Sequence, residues 1–246
     1  MENRPTYNIT YHLRGENVDW SYEARLDPNS LKLVNPTDEH PPSWTELSYR
    51  QCSHCPLNVK KDTHCPQALQ LAALLKKCSS LISYEKVSAT VTTEQRTTTK
   101  NTTAQRAISS LMGLLIATSG CPHTHLFRPM ARFHLPFADE EETLFRAAST
   151  FLLLRYLKSE DGEPVELSLE GLKEIYENIG IMNHDFSKRI ANTVVHDASL
   201  NALFTLDILA HFTRFGLEDS LRHLRRLFQE TLKDLTIPTL AEDSCE

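Results

Sequence analysis

Four cysteines and one histidine are the residues of this sequence whose types and spacing best suit a metal ion. Cys52 and Cys55 form a Cys-x2-Cys pair, Cys65 follows in the same polar loop, and Cys121 lies in the distant segment GCPHTH. A Cys-x2-Cys turn lets two thiolates reach one ion, which is why structural zinc and iron–sulfur sites use it. We therefore predict a metal site formed by these four cysteines. We expect His123 either to replace one thiolate or to orient the ligands by hydrogen bonding.

Zinc is the first choice of metal, because four Cys and His ligands around a closed tetrahedral ion are typical of structural zinc. An iron–sulfur cluster is the alternative, since proline directly follows Cys55, Cys65 and Cys121, as at the end of a ferredoxin motif. Two further readings stay open: a dithiol redox couple at Cys52 and Cys55, and ordinary free thiols.

A catalytic metal is a further possibility, because histidines cluster after Cys121. His123, His125 and His134 can supply the three protein ligands of an open zinc site, and Glu142 a general base. That arrangement would make the protein a zinc-dependent hydrolase. The spacing does not compel it, and the interpretation we favour is a non-catalytic metal-binding protein with an interaction or regulatory role.

Composition excludes several other classes. The chain has 246 residues, 40% of them hydrophobic, which is enough for an ordinary core without a metal. Its net charge is -6, from 26 basic and 32 acidic residues, so we expect no nucleic-acid partner. Neither a signal peptide nor a membrane-spanning segment is predicted, which indicates a cytoplasmic protein without a membrane partner. Glycine-rich nucleotide-binding motifs are absent from the sequence, and any protein partner is unknown.

The elements around the cysteines predict an α+β fold, with a small N-terminal antiparallel β part packed on a mainly helical body. Residues 5 to 13 and 18 to 26 alternate in hydrophobicity and predict a hairpin. Residues 44 to 49 predict a third strand that leads into Cys52. The β-branched residues 87 to 93 predict another strand, which can pair with the hairpin. The threonine-rich residues 97 to 103 are expected to form a turn.

Helices should follow each cysteine-bearing loop. Pro66 suits the first turn of a helix, and Thr102-x-x-Gln105 and Asp139-x-x-Glu142 match the capping box of two more. Gly120 should end the first of these two helices in a left-handed conformation. Residues 126 to 138 are expected to form a loop, and a pair of helices should begin at Ser168.

We divide the chain into three parts that should pack as one compact unit. Residues 1–100 hold the β-rich part, the cysteine loop and one helix; residues 101–195 hold the helical body with the GCPHTH segment; and residues 196–246 should form a helical hairpin and tail. The apolar stripes of that hairpin suit either packing on the rest of the molecule or a homodimer.

Several segments also resemble a family of uncharacterised, cytosolic bacterial proteins. The shared segments, in order, are RQCSHCPL, HCPQA, TTAQRAISSLMGLLIATSGCPH and FRPMARFHLPFADEEETLFRA, and the resemblance spans approximately Tyr7 to Ile190. The resemblance implies that Cys52, Cys55, Cys65 and Cys121 belong together. It implies no activity, and the helical remainder after Val195 has no counterpart in it.

Overall fold

A four-stranded antiparallel sheet forms the N-terminal part of the protein. A computed structural model describes residues 5–78, 81–166, 168–191 and 221–234. The strands are β1 (Tyr7–Arg14), β2 (Asp19–Leu26), β3 (Lys86–Thr92) and β4 (Thr97–Thr103), in the spatial order β2-β1-β3-β4. The hairpin β1–β2 pairs Tyr11 with Tyr22, and β3 pairs with β1 on its other side. The predicted hairpin and the predicted pairing of the later strand are therefore confirmed.

One face of the sheet carries the core. In β1 every second side chain is buried, from Tyr7 through Ile9 and Tyr11 to Leu13, whereas the alternate residues are partly exposed. Period-two alternation of this kind places one face against the helices and the other toward solvent. Strand β4 lies at an edge of the sheet, and most of its side chains are exposed.

Two sequence predictions about strands were wrong. Residues 44 to 49 form a short 3-10 turn, Ser43–Thr45, and further turns, and their one ladder contact is an isolated bridge between Glu46 and His64. Several backbone carbonyls in this stretch are bound by an arginine from a distant helix, as described below, and are not available to a partner strand. The threonine-rich residues 97 to 103 form strand β4 rather than a turn, because their β-branched side chains suit the edge position beside β3.

Helices form the larger part of the described chain outside the sheet. They are α1 (Pro66–Lys77), α2 (Ala104–Thr118), α3 (Arg128–Arg132), α4 (Glu140–Glu160), α5 (Glu170–Ala191) and α6 (Gln229–Asp234), with a 3-10 helix at Pro122–Phe127. The α+β class is confirmed. Asp139 begins α4 with the complete capping box that its spacing predicted. At α2 the N-cap is Thr103, one residue after the predicted Thr102, and its hydroxyl accepts a hydrogen bond from the Arg106 N–H.

Two helix predictions also needed correction. The predicted loop 126 to 138 contains the end of the 3-10 helix and the whole of α3, where Pro129 occupies the first turn. The predicted helical pair from Ser168 is one continuous helix, α5, of 22 residues. Its buried residues recur at helical spacing along its whole length, so no break is required.

One hydrophobic core joins the sheet to α1, α2 and α5, and a smaller cluster joins α4, α5 and Leu224. The predicted C-terminal hairpin, within residues 196–246, lies largely outside the described residues. Of its two predicted apolar stripes, the structure describes only the part within residues 221–234. None of the helices in the described ranges is long and apolar enough to cross a membrane.

Candidate metal centre

The Cys52–Cys55 turn is held by side chains and backbone groups of α5. The turn closes with a hydrogen bond from the Cys55 N–H to the Cys52 carbonyl, at 3.0 Å. Asp185 on α5 accepts hydrogen bonds from the Ser53 N–H (2.8 Å) and the Ser53 hydroxyl (2.9 Å). His54 Nε2 lies 2.9 Å from the Asn178 carbonyl and can donate to it. Helix α5 therefore fixes the two residues between the cysteines.

A third residue of α5, Arg189, holds the chain just before this turn. Its side chain is 1% exposed, and its guanidinium donates to the carbonyls of Trp44 (2.9 Å), Glu46 (2.7 Å), Leu47 (3.4 Å) and Arg50 (3.1 Å). The planar fork of arginine can serve several acceptors in fixed directions, which the point charge of lysine cannot. Arg189 is therefore the residue that shapes the entry into the cysteine loop.

Cys65 stands at the N-terminus of α1. Its own N–H donates to the Thr45 carbonyl at 2.8 Å, and Pro66 occupies the first helical position. The N–H groups of Gln67 and Ala68, which have no acceptor inside the helix, are directed to the Cys65 sulfur. Backbone N–H groups and the helix dipole both favour a thiolate at this position.

Cys121 repeats the same arrangement at the end of α2. It precedes the 3-10 helix with Pro122 at its first position, and the N–H groups of His123 and Thr124 are directed to its sulfur. Gly120, with φ +96°, adopts the predicted left-handed conformation, and a Cβ on it would lie 3.9 Å from the Pro66 Cβ. The two Cys-Pro helix starts are therefore neighbours in space, although more than fifty residues separate them in the sequence.

The electrostatics of the thiols show that they influence one another. Burial raises the pKa of Cys52 to about 12, and the neighbouring Cys65, Cys55 and Cys121 raise it further. The pKa of Cys121 is also raised to about 12, by burial and then by Cys65 and Cys55, against the opposing effect of its N–H donors. Burial likewise raises the pKa of Cys65, while Arg189 is one of the groups that lower it. The thiols therefore form an electrostatically coupled group that disfavours negative charge without a cation.

Two histidines lie against each other beside this group. The rings of His54 and His123 are stacked, with their centroids 4.0 Å apart and their planes 18° apart. Burial, followed by the neighbouring His54, lowers the pKa of His123, which favours the neutral form of its ring. His123 Nε2 and His54 Nδ1 are buried without a hydrogen-bond partner among the described residues. A buried, neutral ring nitrogen without a partner can accept a hydrogen bond or bind a metal.

The structure separates the other candidate residues from this group. Among the described residues, no three Cys, His, Asp or Glu side chains already stand in positions that would hold a metal ion. His134 hydrogen bonds to Tyr11, and His125 is exposed, with the Gly120 backbone as its partner. Glu142 closes the capping box of α4 by accepting a hydrogen bond from the Asp139 N–H. Cys78 is fully buried in the main hydrophobic core at the end of α1.

Sequence reasoning missed the supporting residues of α5. Asn178, Asp185 and Arg189 lie more than 120 residues beyond the loop that they hold, and nothing in the local sequence of Asn178 or Asp185 distinguishes them from other polar residues of a helix. One signal was present, because Arg189 falls next to Ile190 on the apolar face of α5, where a charged residue requires a buried partner.

Comparison with known proteins gives a family and no activity. A family model described as Domain of unknown function (DUF6901) matches residues 7–229. The match extends beyond the segment that the sequence resemblance covered and includes part of the C-terminal helical region. No curated protein and no solved structure matches the chain. Since the model covers most of the 246 residues, this chain belongs to the DUF6901 family.

Proposed function

We propose that this protein binds a structural zinc ion through Cys52, Cys55, Cys65 and Cys121. The observation that carries the proposal is the meeting of three chain segments: the Cys-x2-Cys turn and two Cys-Pro helix starts bring their thiols into one electrostatically coupled group. A divalent cation would remove the mutual repulsion of the thiolates. The side chains would have to close around the ion, and ligand protons would be released as they did so.

The surroundings of the thiols support a closed rather than a catalytic centre. Cys65 and Cys121 are each 8% exposed, and backbone N–H groups are directed to both sulfurs. Such donors stabilise metal-bound thiolates and orient them. His123 would either replace one thiolate or hydrogen bond to it through its free Nε2. In this proposal the zinc fastens the cysteine loop to the end of α2, and the protein acts through a partner or as a regulator in the bacterial cytoplasm.

Metal analysis of matched variants tests the proposal. The protein would be purified without oxygen or added metal, and zinc, iron and sulfide would be measured per chain. We expect about one zinc in the wild type and little in Cys52→Ser or Cys121→Ser, because three remaining ligands bind zinc more weakly. Cys78→Ala is the matched control, since that thiol lies in the core and should leave the zinc content unchanged.

Two outcomes would contradict zinc. A coloured protein that contains iron and sulfide would assign the same cysteines to an iron–sulfur cluster, whose potential depends on hydrogen bonds such as those at Cys65 and Cys121. A wild-type protein without stoichiometric metal, even after zinc is added back, would reject the metal centre altogether.

A further inference from the structure

A cavity of about 670 Å³ lies outside the cysteine region, between α2 and the segment from α3 to the start of α4. Its apolar walls include Leu114, Met130 and Leu135, and its polar residues include His134 and Arg106. Cavities of this size with mostly apolar walls and a few polar groups are typical of small-molecule sites.

A chain of hydrogen bonds ends at this cavity. The Phe137 N–H donates to Ser110 Oγ at 3.1 Å; Ser110 Oγ lies 2.8 Å from the Tyr11 hydroxyl; and the Tyr11 hydroxyl lies 2.6 Å from His134 Nε2. Phe137 has φ +62°, a left-handed conformation that a bulky residue rarely adopts. Its N–H is therefore held at the start of the chain by a strained backbone.

The placement of protons along this chain fixes what His134 presents. Ser110 Oγ accepts from the Phe137 N–H, and we infer that its own proton is directed to Tyr11, which then donates to His134 Nε2. The opposite direction would leave the Ser110 proton without an acceptor among the described residues, whereas this direction gives each proton of the chain an acceptor. His134 Nε2 is thus an acceptor, and its Nδ1 carries the hydrogen. Nδ1 has no hydrogen-bond partner among the described residues, and His134 lines the cavity.

The charges of the lining favour an anion. Asp139 accepts a hydrogen bond from the Glu142 N–H, and Arg146 donates to the Met130 and Phe133 carbonyls. Glu141 Oε1 lies 3.6 Å from His223 Nε2 and forms no hydrogen bond with a described residue. By contrast, the side chains of Lys100 and Arg106, which are exposed at the cavity mouth like Glu140, form no hydrogen bond or ion pair with a described residue. Glu140 is the remaining acid of the described lining, and it is exposed in the first turn of α4.

We propose that this cavity binds a small organic acid. Its apolar part would lie against Leu114, Met130 and Leu135, and its acidic group would accept a hydrogen bond from His134 Nδ1–H and pair with Arg106 or Lys100. A neutral imidazole donor combined with an unpaired guanidinium recognises a carboxylate better than an alcohol or an ammonium group. This binding site is independent of the metal centre.

Three probes that share the same eight-carbon alkyl chain test the proposal: octanoate, octanol and octylammonium. Each is titrated into the full-length protein, and binding is measured by isothermal titration calorimetry. We expect octanoate to bind at least tenfold more tightly than either of the others. Arg106→Gln should weaken octanoate about tenfold and leave octanol unchanged, since a charge-assisted hydrogen bond is lost. Ala117→Leu, which places a larger side chain in the cavity wall, should weaken every probe.

Lys86→Gln is the matched control, because Lys86 lies in a neighbouring groove together with Arg106 but does not line the cavity. The proposal is overturned if Lys86→Gln weakens octanoate as much as Arg106→Gln does, if octanol or octylammonium binds as tightly as octanoate, or if none of the probes binds. Circular dichroism of each variant separates a lost site from a lost fold.

Discussion

His134 is the residue whose protonation the fold controls most strongly among the described histidines. Burial and then the positive charge of Arg146 lower its pKa from 6.5 to about 3. In the inferred direction of the hydrogen-bond chain, Tyr11 donates to the Nε2 lone pair, which a protonated ring would not have. The folded protein therefore keeps His134 neutral at pH values where the unfolded chain protonates it.

This difference predicts a loss of stability in acid. As pH falls below 6.5 toward 3, the unfolded state takes up a proton that the folded state does not, so the free energy of unfolding decreases by up to about 1.4 kcal/mol per pH unit. His134→Gln removes that contribution and should flatten the curve of stability against pH in this range. Urea unfolding at several pH values measures it.

His184→Gln serves as the comparison, because His184 is exposed on α5 and forms no hydrogen bond through its ring with a described residue. If wild type and His134→Gln lost stability in parallel between pH 6.5 and 4, the folded protein would have to accommodate a charged His134, and the direction of the hydrogen-bond chain would be wrong.

Helix α5 acts as the support of the cysteine loop. From its middle to its C-terminal end, Asn178, Asp185 and Arg189 each hold a different point of residues 44–54. The adjoining apolar side of the helix contributes Met182, Phe186 and Ile190 to the main core. The position of the loop therefore depends on the packing of α5 as well as on its own turns.

Replacement of Arg189 should release the loop. In Arg189→Met, four carbonyls lose their donor, and we expect the free energy of unfolding to fall by roughly 3 kcal/mol, the scale of leaving buried polar groups unpaired. Arg189→Lys should restore only part of this loss, because one ammonium cannot match the guanidinium fork. Chemical denaturation measures both variants.

The adjacent Lys188→Met provides the control, since Lys188 is exposed and only its backbone carbonyl takes part in the contact, with Arg50. Limited proteolysis should also cleave the loop faster in Arg189→Met than in Lys188→Met. Equal stability of the two variants would show that α5 does not hold the loop in the way its hydrogen bonds indicate.

At the scale of the whole molecule, the proposed zinc joins two parts that are distant in sequence. The Cys52–Cys65 loop follows the N-terminal hairpin, whereas Cys121 lies between α2 and the 3-10 helix, and both contribute to the same core. A ligand that binds only the folded state stabilises it by an amount that grows with the logarithm of its free concentration. Zinc should therefore stabilise the entire fold.

Thermal unfolding with zinc and with a chelator measures this effect. At free zinc one hundred times the dissociation constant, the wild type should gain about 2.7 kcal/mol relative to the chelated protein. Cys121→Ser should gain much less, whereas Cys78→Ala should start from a lower melting temperature and keep the full gain. An identical zinc response in Cys121→Ser and the wild type would exclude Cys121 as a ligand.

Local patterns in the sequence determined much of the architecture. Alternating residues specified the hairpin, Asp139 and Glu142 specified the start of α4, and Gly120 specified the end of α2, because each signal acts within a few residues along the chain.

Two stretches were predicted wrongly because contacts with distant residues override their local pattern. Residues 44 to 49 look like a strand locally, but their carbonyls bind Arg189; residues 97 to 103 look like a turn, but β3 provides a partner for them.

The tertiary structure alone decided which groups meet. From the sequence we grouped Cys52, Cys55, Cys65 and Cys121 by residue type and by resemblance, and their binding of a metal stays a prediction. The sequence did not indicate that Gly120 packs beside Pro66, that Arg189 organises the loop, or that His134 faces a cavity through Tyr11 and Ser110. These contacts join residues about 50 to 145 positions apart, and only the packing of the sheet against its helices brings them together.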